Sequence, residues 1–178
     1  SFHNYTIIKK HQSKLAHEFV VAKKERFNSQ ELNKLFSPDN YPTQGVMAAG
    51  GCGFVYNGKT MDMLGLNYVK MAHAKKENNN NVMKNHASFS KEVFFEDEPD
   101  LFWIAGDFAD QDNPNDVLKI SDFNKIIFKE VQDEPKFKDD YANCVISRKG
   151  YAKYLRIYAK KCFLEKLDKK SYTIRIVS

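Results

Sequence analysis

A chain of 178 residues with 42% hydrophobic and 13% aromatic side chains is long enough for one domain with a packed core, which excludes a disordered polymer despite the negative mean hydropathy. No apolar run approaches the ~20 residues needed to cross a bilayer. The net charge of +5 comes largely from lysines dispersed among nearly as many acids, which favours a solvated surface over a nucleic-acid partner.

The signatures of nucleic-acid recognition are missing as well: there is no recognition-helix cluster, no RNA-binding aromatic strand and no paired C-x-x-C. Three cysteines, Cys52, Cys144 and Cys162, are too few and too scattered for a disulfide framework. Each sits among apolar residues, so a buried free thiol is the expectation, with a Cys144–Cys162 bridge left open for an oxidising compartment. Ser1 to Lys10 lacks a basic stretch followed by an apolar one, so no signal peptide is expected there. An opening on SFHNY without an initiator methionine reads as an excised fragment.

From about Tyr5 to Glu25 the apolar residues Ile7, Ile8, Leu15, Phe19 and Val20 fall near helical spacing, which predicts a long amphipathic helix. Asn28 or Ser29 can cap a second, shorter helix through Phe36, stopped by Ser37-Pro38-Asp39-Asn40. Strands are expected over Gly45 to Ala49 and Phe54 to Tyr56, with Asn57-Gly58 making a tight hairpin turn into Thr60 and Met61. Asn67 can cap a short helix from Tyr68 to Ala74, and the polar run Lys75 to Met83 reads as an exposed loop. Val93 to Phe95 and Leu101 to Ile104 read as strands on either side of an acidic turn, and Asp110 to Asn115 as a further loop. Ser121 can cap a helix that Pro135 ends. Strands then follow over Ala142 to Ser147, Tyr151 to Tyr158 and Tyr172 to Val177, with a short helix over Cys162 to Leu167. In the second of these, Tyr154, Arg156 and Tyr158 alternate with Leu155 and Ile157.

Helices interleaved with short strands give an α/β fold class, with α+β as the alternative: one small layered domain, a mixed sheet flanked by helices and a long N-terminal helix. Residues 1–40 form a helical segment packing on an α/β domain over residues 41–178.

Gly50-Gly51-Cys52-Gly53 invites comparison with a phosphate-binding loop, but such a loop opens a helix, and the apolar Phe54-Val55-Tyr56 reads as strand. Close backbone packing or a bulge is preferred. Pro99-Asp100 could begin a metal-dependent nuclease motif, but the downstream acid-x-Lys triplet, Glu134-Pro135-Lys136, holds a proline barred from an interior strand. Asp62, His73, His86 and Asp100 carry groups suited to metal ligation or acid/base work, but their spacing matches no compact metal motif. For each histidine a hydrogen-bonded structural role is the alternative, and for each aspartate a loop-fixing one.

Five short elements occur in order between Gln44 and Ile104: Ala49 to Tyr56, Asp62 with Gly65-Leu66, Ala72-His73, Asn85-His86 and Pro99-Asp100. This order resembles the extracytoplasmic C-terminal domain of bacterial polytopic membrane glycosyltransferases that draw sugars from polyprenyl-phosphate donors, of the arabinosyl- and mannosyltransferase kind. The chain departs from the commoner form in having Asn85 where many members have glycine, and in its asparagine-rich insertion. The resemblance implies a soluble domain on the extracytoplasmic face of a bacterial inner or plasma membrane, anchored by an upstream transmembrane region of the same polypeptide. It implies catalysis by carboxylates on the membrane portion, and hence no catalytic residue, metal or cofactor in this chain. The partners implied are a glycan acceptor and the polyprenyl-phosphate sugar donor. Candidate acceptor-binding or motif residues are Asp62, Gly65, His73, Asn85, His86 and Asp100, with Tyr56, Phe89 and Trp103 as aromatics suited to sugar faces. The competing readings are a free-standing hydrolase or transferase using His86 and Asp100, and a structural domain without ligand. The motifs are expected to gather at one end of the sheet, with His86 in reach of Asp62 or Asp100.

Overall fold

The computed structural model describes residues 2–47, 49–65, 68–74, 89–113 and 118–177, with the side chains of the first helix described from Phe19 onward. Asn67, the Lys75 to Met83 run and Asn85-His86 lie outside the described residues. The chain builds α1 (Phe2–Leu35), a 3₁₀ turn (Pro38–Asn40), β1 (Gln44–Val46), β2 (Thr60–Asp62), α2 (Val69–His73), α3 (Lys91–Asp97) and β3 (Leu101–Ala109). It continues through α4 (Asp122–Val131), α5 (Pro135–Asp140), β4 (Tyr141–Arg148), β5 (Tyr154–Lys160), α6 (Lys161–Lys166) and β6 (Tyr172–Ile176). The strands form one mixed sheet in the order β2-β1-β3-β5-β4-β6. β1 is parallel to both β2 and β3, and the remaining pairs are antiparallel. The fold class is α/β.

Each face of the sheet buries its own apolar cluster because side chains alternate along a strand. Phe102 and Ile104 of β3 face a cluster with Met71, Phe94, Phe128 and Phe137 from α2, α3, α4 and α5. Leu101, Leu155, Ile157 and Ile146 face the opposite cluster, closed by Leu32 and Leu35 of α1 with Phe36 just beyond it, and by Phe163 and Leu164 of α6. The alternation read in β5 is the observed one: Leu155 and Ile157 belong to the second cluster, and Tyr158 packs on the first. β3 carries a large bulge, since Phe102 faces Tyr158 and Gly106 already faces Ile157. The intervening residues fold Trp103 back over Gly106, where a Cβ would lie 2.7 Å from the indole ring.

Several expected elements differ. Asn28 and Ser29 do not start a new helix; both are buried inside α1, where Gln44 donates to the Ser29 hydroxyl at 3.4 Å. The buried stripe continues past them to Leu32 and Leu35, so tertiary packing overrides the capping preference. Phe54 to Tyr56 is a turn, not a strand: the N–H groups of Val55 and Tyr56 both donate to the Cys52 carbonyl, at 3.1 and 3.0 Å. Asn57-Gly58 makes no hairpin, because β1 and β2 run parallel and the chain must cross between them. Gly58 is needed for space, since a Cβ there would lie 2.6 Å from the Tyr56 ring. The apolar run Val93 to Phe95 belongs to α3, capped by Ser90, whose hydroxyl accepts the Val93 N–H at 3.4 Å. Pro135 ends no long helix; α4 stops at Val131 and Pro135 occupies the first turn of α5. None of the three cysteines is in a disulfide: Cys52 and Cys144 are buried and Cys162 is exposed, so the optional Cys144–Cys162 bridge is not formed.

Candidate functional site

Asp62 closes β2, 2% exposed, opposite Val46 of β1 in parallel register. Its Oδ1 accepts the Leu64 N–H at 3.1 Å and its carbonyl accepts the Gly65 N–H at 3.0 Å, while the Met63 N–H donates to Val46 at 2.9 Å. Gly65 has φ +77°, a left-handed conformation that side chains with a Cβ resist. The D-x-x-G spacing therefore builds a tight turn: the carboxylate holds the backbone two residues on, and the glycine lets the chain reverse. The turn lies at the C-terminal ends of β1 and β2, where parallel sheets place their ligand crevices.

Two further residues stand at this end: Cys52, expected only as a buried thiol, and Glu25, which is not among the expected site residues. Glu25 of α1 turns inward, and its carboxyl accepts the Gly51 N–H. Burial pushes that carboxyl up to about 7, and the negative charge of Asp62 adds to the rise. Its Oε2 is buried without a hydrogen-bond partner among the described residues. The Cys52 thiol is pushed up to about 11, chiefly by burial, with the charges of Glu25 and Asp62 contributing. What brings Cys52 here is Gly51, where a Cβ would lie 2.2 Å from the Ala22 carbonyl oxygen. The glycine-rich segment thus serves the close packing against α1. The one available signal for Glu25 is positional: it falls on the same helical stripe as Ser29, Leu32 and Phe36.

Pro99-Asp100 lies at the other end of the parallel strands, immediately before β3. Asp100 Oδ2 accepts the Thr43 N–H at 2.8 Å, the Asp100 carbonyl accepts the Lys160 N–H at 2.8 Å, and the Pro99 carbonyl accepts the Tyr141 hydroxyl at 2.7 Å. This short stretch ties together the starts of β1, β3 and β4 and the end of β5. Glu98, just before it, has φ +38° and accepts hydrogen bonds from both Lys136 and Lys160. Burial acts to raise the Glu98 carboxyl, but the two lysines hold it below the usual carboxylate range. A shallow cleft beside Asp100 is lined by Tyr41, Pro42, Phe163 and Lys166.

The expectation that the motifs share one end of the sheet fails for the two aspartates. Asp62 follows the strands and Asp100 precedes them. His73 is exposed in the last turn of α2. Asn85 and His86 lie outside the described residues. The aromatic trio does not form a sugar platform either. Tyr56 is buried on the α1 face, its hydroxyl donating to Pro42 at 2.5 Å, and half-buried Trp103 packs on that same face. Phe89 packs on Phe94 across the sheet, with ring centroids 5.9 Å apart. Hydrophobic burial places all three: rings of this size go first to the core. Among the described residues no group of three or more His, Cys, Asp or Glu side chains could hold a metal ion.

No protein-family model matches this chain, and no curated protein or solved structure is significantly similar to it.

Proposed function

We propose that this chain is the extracytoplasmic α/β domain of a membrane glycosyltransferase using a polyprenyl-phosphate sugar, and that it shapes the acceptor side of that enzyme without performing the transfer. The observation that carries this reading is the D-x-x-G turn at the C-terminal ends of parallel β1 and β2. From that turn the chain enters the segment bearing Ala72-His73 and Asn85-His86, in the order of the family it resembles. The crevice beyond such strand ends is where α/β domains receive ligands, and amide and imidazole groups such as those of Asn85 and His86 are chemically suited to sugar hydroxyls. The non-catalytic role is supported by how the two motif carboxylates are used, since each accepts a backbone N–H. That use also weakens the rival reading of a free-standing enzyme with His86 and Asp100 as its acid and base, because Asp100 is engaged in joining β1 to β3.

The test is made in the whole polypeptide with polyprenyl-phosphate arabinose or mannose as donor. His86→Ala is expected to lower transfer while the melting temperature of the isolated domain stays unchanged. Unchanged transfer would remove His86 from the acceptor side.

A further inference from the structure

We infer that the outward face of α1, together with the Phe54 loop beside it, docks on an anionic phospholipid surface. The inference is independent of the glycosyltransferase reading, since it rests on exposed chemistry alone. Phe19 is 74% exposed, Val20 65% and Phe54 97%, and Phe27 is 42% exposed. At 100° per residue, Phe19, Val20, Lys23, Lys24, Arg26 and Phe27 fall on the outward arc of α1, while Glu25, Ser29 and Leu32 face the sheet. Phe54 joins this arc because its loop lies along the helix. Gly51 abuts the Ala22 carbonyl and the Arg26 N–H, and Asn33 both donates to the Val55 carbonyl at 2.6 Å and accepts the Asn57 N–H at 2.9 Å. Lys153 adds a cation at the margin, its ammonium 5.9 Å from the Phe27 ring centroid.

Charge identifies the occupant. Residues 1–27 carry six lysines and arginines (Lys9, Lys10, Lys14, Lys23, Lys24, Arg26) against two acids, Glu18 and Glu25. Nearly all of the chain's excess of +5 is therefore on this helix, and two of its three acids, Glu25 and Glu31, are turned inward. Apolar rings interleaved with cations are the composition of a helix lying in a membrane interface, where the rings enter the acyl boundary and the cations meet lipid phosphates. A nucleic acid would use the cations but has no place for Val20 and an outstretched Phe54 loop. A second copy would bring like charges together across a two-fold axis. Spanning is excluded for this helix, because cations recur along it, and among the described residues no helix is long and apolar enough to cross a membrane.

Co-sedimentation with vesicles tests the inference, comparing equal parts phosphatidylglycerol and phosphatidylcholine with phosphatidylcholine alone. The chain is expected to bind the anionic vesicles, less tightly as salt rises, and to leave the neutral ones unbound. Lys23→Gln, Lys24→Gln and Arg26→Gln combined should weaken binding about a hundredfold, at roughly the strength of one surface cation each. Phe19→Ser, Val20→Ser and Phe54→Ser combined should weaken it about a hundredfold or more. All six side chains are exposed, and circular dichroism checks that each variant is folded. The inference is overturned if the anionic vesicles are not bound, or if the apolar variant binds them undiminished. It is equally overturned if a duplex oligonucleotide is bound more tightly than the vesicles, or if the apolar variant converts a dimer to a monomer without changing vesicle binding.

Discussion

The Asp100 carboxylate accepts the backbone N–H of Thr43 at 2.8 Å, and the Thr43 carbonyl accepts the N–H of Leu101 at 3.0 Å. One side chain thus completes the join between the residue leading into β1 and the start of β3, two strands far apart in sequence. Asp100→Ala leaves the Thr43 donor unpaired in a part-buried position, which costs about 1–3 kcal/mol. Urea denaturation of the isolated chain should show that loss, while transfer per folded molecule of the whole polypeptide stays constant. Lost transfer at unchanged stability would instead place Asp100 against the acceptor.

Gly65 should resist substitution for a local reason. With φ at +77°, Gly65→Ala forces an L side chain into the left-handed region at a cost of about 1–2 kcal/mol. Gly65→Asn should cost less, since asparagine tolerates that region better. Equal denaturation midpoints for the alanine and glycine forms would show that the turn relaxes without consequence.

Glu25 gives the chain a pH dependence of stability. Its carboxyl is raised by burial from 4.5 to about 7, so between those values the folded state holds a proton that the unfolded state has lost. Stability contributed by this group is therefore complete below 4.5, falls as the pH rises towards 7, and is lost above it. Glu25→Gln keeps the shape and removes the charge. Thermal melts of the variant should show a flatter profile across that window and a gain over the parent at its upper end. Parallel profiles would exclude Glu25 as the source.

The elements legible in the sequence are those fixed by local chemistry. Ser121 caps α4 by accepting the Asn124 N–H, and the alternation of Tyr154, Arg156 and Tyr158 with Leu155 and Ile157 fixes the two faces of β5. The loop-fixing alternative for Asp62 and Asp100 was legible in the same way, because a carboxylate at a strand end commonly takes a nearby N–H. What could not be read depends on distant partners. Gly58 looks like half of a hairpin turn, but its requirement comes from the Tyr56 ring. Val93-Phe94-Phe95 has the composition of a strand, and only the pairing of β3 with β1 and β5 leaves that segment free to be a helix. Glu25 is an ordinary acid on a helix until the loop bearing Gly51 and Cys52 packs over it. The chemistry of Tyr56, Phe89 and Trp103 suits sugar faces, but burial determines where they go.

The measurement that tests the proposed function most directly is sugar transfer from a polyprenyl-phosphate donor, assayed side by side with the whole polypeptide and with this chain alone. Transfer is expected from the membrane-inserted polypeptide and none from the isolated chain, whose motif carboxylates are occupied by backbone N–H groups. Turnover of the lipid-linked sugar by the chain alone, or a whole polypeptide that ignores such donors, would contradict the account.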